Sequence, residues 1–171
     1  MSLKLPALLV VLCLMPARAG STSVEFMPLE EIVGGSDHVL AAKIVRVDMV
    51  NRLGLQVRDR TARTGPGLPN QIRLHLEIGE VLFTTCRRQP RRVVVPLWQA
   101  WHYALGTMQD QLQGSTGIFL LIGAGFDPAY PNDFQRGMAE RERIEPLVDA
   151  LRLQRKQSQL SCKEGGTVTG S

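Results

Sequence analysis

The chain predicts a small, mostly β (α+β) domain: a curled antiparallel sheet forming an open OB-like barrel, with a short N-terminal helix and a C-terminal helix. Three observations carry this. At least four segments have strand character, and two of them are long. The long strands change phase at points where a bulge would bend a sheet. A short helical pattern stands before the strands, and an amphipathic one follows them.

The leading helix is expected over residues 26–33. Pro28 suits an early helical position, and Glu30 and Glu31 sit at the positive end of the helix dipole. Gly34, Gly35 and Ser36 end it. The first strand covers 38–51, with Val45, Val47 and Met49 alternating against Ile44, Arg46 and Asp48. Its phase is poor at Ala41-Ala42-Lys43, which places a bulge there. Residues 58–69 are polar and carry Gly65, Pro66, Gly67 and Pro69, a loop composition.

Residues 70–83 form the clearest strand. Ile72, Leu74, Leu76 and Ile78 face one way, and Gln71, Arg73, His75 and Glu77 the other, until the phase slips after Gly79. A loop over 84–90 carries Cys86, and a valine-rich third strand covers 91–97. Residues 98–115 read as irregular and aromatic. The apolar run within 116–122 fits a strand buried on both faces. A fifth strand is left to come from 101–113 or from 125–134. The closing helix is expected over 139–154, with Ile144, Val148 and Leu151 on one stripe; Pro146 marks a kink or a later start.

Residues 1–19 read as a secretory signal peptide. Lys4 gives a positive start, residues 7–15 are apolar, Pro16 breaks the run, and Ala17-Arg18-Ala19 offers a cleavage site. The apolar run is shorter than the roughly 20 residues a membrane span needs. The domain is then expected over 20–156, followed by a Gly- and Ser-rich disordered tail, 157–171. The expected location is periplasmic or secreted, with no membrane span after signal cleavage.

Removing Lys4 and Arg18 with the signal lowers the formal net charge from +4 to +2, so the mature domain is only mildly basic. Arg87, Arg88, Arg91 and Arg92 cluster, but as solvated pairs around a loop proline. Export argues against nucleic acid, so no nucleic-acid partner is expected. Cys13 leaves as well, so Cys86 and Cys162 remain as a candidate disulfide, with two free thiols as the alternative.

The quoted elements also carry a resemblance. The first strand reads Ser-Asp-His-Val-Leu-Ala-Ala-Lys-Ile-Val, the second ends Leu-Glu-Ile-Gly-Glu-Val-Leu-Phe, and Gly-Ile-Phe-Leu-Leu-Ile follows the valine-rich strand. Over 36–47, 74–83, 91–95 and 115–122 the chain resembles uncharacterised exported bacterial proteins and, more remotely, the netrin/TIMP-like OB barrels. The resemblance implies a secreted OB-like barrel. TIMP-like inhibitors chelate a metal with an amino-terminal cysteine and hold several disulfides. Here the expected mature terminus is Gly20 and two cysteines remain, a departure that counts against metalloprotease inhibition.

Chemistry-bearing motifs are sparse. His38, His75 and His102 stand outside metal-ligand spacing of one another and of the cysteines, so no metal site is expected. His75 reads as solvated, and His38 as a local hydrogen-bonding residue at a strand entry. Ser115 lies between glycines but leads into a strand rather than a nucleophile turn. The glycine pairs lack phosphate-loop or dinucleotide spacing, so no cofactor is expected. One segment stands out: Trp98, Trp101, His102 and Tyr103, an aromatic group that could stack on a sugar ring or a partner side chain. The alternative is that Trp98 and Trp101 plug the open barrel end.

The expected function is therefore a non-enzymatic binding module for an unidentified protein or envelope component. Two other roles stay open: an inhibitor of a secreted or periplasmic hydrolase, and a cell-wall-directed enzyme using Trp98, Trp101 and His102 with a distant carboxylate such as Asp110.

Overall fold

The computed structural model describes residues 27–155. The expected signal peptide, the tail and Cys162 lie outside the described residues. Within them the fold is mostly β: a curled antiparallel half-barrel with three helices, as the sequence predicts.

Helix α1 spans Leu29–Gly35, a little later than expected. The Pro28 carbonyl accepts from the Glu31 and Ile32 amides, so the proline sits just before the helix rather than inside it. The sheet comprises β1 (His38–Val50), β2 (Gln71–Thr84), β3 (Arg92–Pro96), β4 (Thr116–Ile122), β5 (Asp127–Pro128) and β6 (Gln135–Arg136). Its ladder runs β3-β2-β1-β4-β5, with β6 also on β4. The fifth strand thus comes from the second of the two expected regions, and a sixth joins it.

The long β1–β2 pair curls because its register shifts three times, at Val39/Leu40, Ala41/Ala42 and Ile44/Arg46. The middle shift lies opposite Gly79, where both strands show their phase break in sequence. The third one corrects the expected alternation. Val45 is the extra residue, so Ile44 points inward together with Val47 and Met49, while Val45 is exposed.

Residues 98–115 are not all irregular. Leu105–Leu112 forms helix α2, which seats Leu105, Met108 and Leu112 against the inner face of the sheet. A 3-10 turn, Met138–Glu140, leads into α3, Arg141–Gln154. Pro146 lies inside α3, where its ring nitrogen cannot bond the Glu142 carbonyl.

Two cores share the sheet. The inner one gathers Ile44, Met49, Leu74, Leu76, Val95 and Phe119 under α2. The outer one packs Ile32 and Val33 of α1 and Ile144, Val148 and Leu151 of α3 onto Val39, Ile118 and Leu120. Strand β4 feeds alternate side chains to both cores, which is why its sequence is apolar without alternation. Between β3 and β5, the two ends of the ladder, the half-barrel stays open.

Gly117 is needed where β6 crosses β4. A Cβ there would lie 2.8 Å from the Arg136 carbonyl oxygen. We expect Gly117→Ala to push β6 away and cost about 1–3 kcal/mol. Hydrogen exchange should localise the damage to the Leu120 amide, which donates to the Phe134 carbonyl at 2.7 Å. Unchanged protection of that amide would show that β6 tolerates the methyl group.

Candidate functional site

The connection from β3 to α2 carries the aromatic segment. Leu97 anchors its start: the side chain is buried and its amide donates to the Ile72 carbonyl at 2.8 Å. The chain then turns, with the Trp101 amide facing the Trp98 carbonyl at 3.3 Å. The far end is tied to the 51–70 connection through Thr64. Its hydroxyl donates to the Trp101 carbonyl at 2.5 Å and accepts from the Tyr103 amide at 3.1 Å, while its own amide donates to the Tyr103 carbonyl at 2.9 Å. Thr64 itself is buried, so this link is shielded from water.

The four aromatic-segment residues do not act as one cluster. Trp98 is 57% exposed and lines a cleft of about 640 Å³ at the open seam, together with Pro96, Gln99, Ile122, Asp127 and Pro128. Trp101 and Tyr103 stack with ring centroids 6.4 Å apart. They line a second cleft of about 410 Å³ with Met108, Phe134, Gln135 and Arg136. Leu97 and Pro131 line both clefts and so join them. Burial raises the Tyr103 hydroxyl above its ordinary value, so it remains a neutral donor at physiological pH.

His102 belongs to neither cleft. Its ring rests on Gly65, where a Cβ would lie 2.6 Å from the imidazole Nδ1. Gly65 also has φ +150°, a conformation that side chains rarely adopt, so a glycine meets both demands. Asp110, the carboxylate that an enzymatic reading pairs with His102, is exposed and bound to Arg60 at 2.6 Å. The structure brings these two residues together in neither cleft.

Two polar clusters lie elsewhere. On the outer sheet face, Asp48 is buried beneath Arg73, His75 and Arg46. The expectation of a solvated His75 is corrected here: its side chain is 18% exposed and its Nε2 bonds Asp48 at 2.9 Å. At the start of β1, His38 is fully buried. Its Nε2 donates to the Gly123 carbonyl at 3.0 Å and its Nδ1 accepts from the Thr84 hydroxyl at 2.8 Å. Cys86 Sγ lies 3.7 Å from the same Nδ1.

Sequence reasoning found one wall of the clefts and missed the other. Asn132, Phe134, Gln135 and Arg136 come from a segment that reads only as loop, and the β6–β4 pairing brings them into place. No periodicity or motif marks that pairing. No protein family, curated protein or solved structure matches the chain.

Proposed function

We propose that this chain is an exported, non-enzymatic binding module that takes a protein or envelope component in the joined clefts of the open seam. One observation carries the reading: Trp98, a large apolar side chain, stands more than half exposed at the mouth of a cleft. Leaving it there costs solvation free energy that a partner would recover by covering it. The second cleft adds the Trp101–Tyr103 stack and the amides of Asn132 and Gln135, which suit a ligand with both an apolar face and hydrogen-bonding groups. Export rests on residues 1–19, whose order of positive start, apolar run and small-residue cleavage site is that of a signal peptide.

The test is capture from envelope extract with the mature protein, followed by calorimetric titration of the identified partner. Trp98→Ala is expected to leave thermal unfolding unchanged and to weaken binding about 30-fold, the effect of losing a central aromatic anchor of about 2 kcal/mol. Trp98→Ala/Trp101→Ala should abolish it. A folded double variant that keeps the partner at full affinity places binding elsewhere.

A further inference from the structure

We infer that the occupant of the Trp98 cleft is an acidic segment of a partner protein, whose carboxylate is received by Arg46 and Arg73 on the outer sheet face beside the cleft. The inference rests on the cleft reading above and adds to it the partner's charge and the residues that meet it.

Register builds the site. Across β1, β2 and β3, Asp48 pairs with Arg73 and Arg73 with Pro96; Arg46 pairs with His75 and His75 with Val94; Lys43 pairs with Glu77 and Glu77 with Arg92. Cross-strand neighbours stand about 5 Å apart, so these residues form one continuous patch. Helices α1 and α3 cover the sheet elsewhere, over Val39, Leu82, Ile118 and Leu120. Within the patch, Arg92 is matched by Glu77 at 3.5 Å. Asp48 is shared: Arg46 Nη2 and Arg73 Nη2 lie 3.3 and 2.9 Å from the same Oδ2. One carboxylate therefore faces two guanidinium groups, and a positive charge is left over.

Hydrogen-bond donors are left over as well. Arg73 commits Nε and Nη2 to Asp48, and Arg46 turns Nη2 toward Asp48 and the His75 ring. Arg46 Nε and Nη1 and Arg73 Nη1 meet no acceptor among the described residues. Both side chains keep surface open to solvent, 47% for Arg46 and 31% for Arg73. The buried Asp48 already holds Arg73 in place, so an incoming anion orders little that is not ordered beforehand. A planar guanidinium fork fits a carboxylate, and a second carboxylate would supply both the missing charge and the missing acceptors.

Position joins this patch to the cleft. Pro96, the cross-strand neighbour of Arg73, and Gln71, two residues before Arg73 on the same face, both line the Trp98 cleft. An extended peptide advances about 3.3 Å per residue, so a residue seated against Trp98 has its near neighbours at the arginines. Asp127 lines the cleft from β5, and its like charge steers an acidic end away from that side.

Selection from a random dodecapeptide display library on the purified full chain tests this. Enriched peptides should place Asp or Glu close in sequence to an aromatic or aliphatic residue. The best of them, synthesised alone, is titrated by calorimetry. Arg46→Gln should weaken it about 10-fold and flatten its salt dependence. Arg46→Lys should recover only part of the loss, because lysine lacks the fork. Arg60→Gln, whose pair with Asp110 lies outside the patch, should change nothing. Exchanging the peptide's carboxylate for its amide should cost about the same 10-fold against the wild type and nothing further against Arg46→Gln, a coupling that a merely structural role would not produce. Enrichment of neutral or basic peptides, no enrichment, or equal binding of an acidic peptide by Arg46→Gln would overturn the inference. So would phosphatidylglycerol vesicles that bind only through Arg46 while no peptide is enriched, since the patch would then read a lipid phosphate. Trp98→Ala separates the two readings. A peptide weakened by Trp98→Ala alone keeps the cleft and removes the arginine site. One weakened by Arg46→Gln alone removes the cleft reading and the shared occupant with it.

Discussion

Replacing Asp48 with alanine is expected to lower folding stability by about 3 kcal/mol, measured by urea unfolding. Asp48 and Arg73 face each other across β1 and β2. The carboxylate, 4% exposed, accepts from Arg73 Nε and Nη2, both at 2.9 Å, and from His75 Nε2 at 2.9 Å; Arg46 Nη2 lies 3.3 Å away. Burial alone would raise its pKa. The hydrogen bonds from His75 and Arg73, with their charge, outweigh burial and hold the carboxyl far below the usual carboxylate range. A folded-state pKa below the unfolded one gives stability that is complete above the ordinary carboxylate range and is lost as the pH falls through it. The variant removes that stability, so the difference from wild type should shrink as the pH falls through the carboxylate range. It also leaves Arg73 and His75 facing each other without a counter-charge. Asp110→Ala is the control, because its pair with Arg60 is exposed on both sides and should contribute less than about 1 kcal/mol. Equal effects of the two substitutions would show that the buried network adds nothing beyond a surface ion pair.

Most of the sheet is legible in sequence because four strands carry β-branched and apolar residues at period two or in continuous runs. The Gly79 phase slip shows even where the sheet bends. What escapes has identifiable physical causes. The two-residue strands β5 and β6 are too short to show any period, so only their pairing with β4 defines them. Helix α2 has apolar residues at helical spacing, Leu105, Met108 and Leu112, but only eight residues, and Gly106 lies in its first turn. That glycine answers a tertiary demand, since the Arg60 carbonyl lies 3.1 Å from where its Cβ would be. Val45 shows how one bulge residue overturns an alternation: the sequence reads through it, and the register shift reverses the faces on one side.

The site follows the same division. The tryptophans attract attention because exposed or clustered aromatics are costly without a role, and Trp98 stands exposed. The wall opposite them is set by close approach at Gly117, a feature that lies in three dimensions and leaves no local pattern. The partial burial of His75 is likewise hidden, because its partner Asp48 lies 27 positions away and reaches it only through the bulged register. The docking of the end of α3 against the start of β1 depends on the Arg155–Asp37 contact, which spans 118 positions of sequence.

The second large effect is expected at His38. His38→Ala should cost about 2–4 kcal/mol, from a lost buried ring and two unsatisfied partners. A carbonyl only accepts, so the bond to Gly123 fixes the proton on Nε2 and leaves Nδ1 as the acceptor for Thr84. The Thr84 oxygen in turn accepts from the Cys86 amide at 3.1 Å. Protonating Nδ1 would force the Thr84 hydroxyl to turn from donor to acceptor and would place a charge in the core. Burial accordingly lowers the His38 pKa, and the Gly123 bond and the charge of Asp37 oppose it only in part. The unfolded state then binds a proton that the folded state refuses. Stability from His38 is complete above about pH 6.5, the ordinary value, and is lost as the pH falls below it. His38→Gln isolates this effect, since an amide can donate to Gly123 and accept from Thr84 but does not titrate. Urea unfolding between pH 7 and pH 5 should show the wild type losing stability more steeply than His38→Gln. Parallel profiles would mean that His38 takes up its proton without disturbing Gly123, and that the turn behind the Trp98 cleft does not depend on a neutral imidazole.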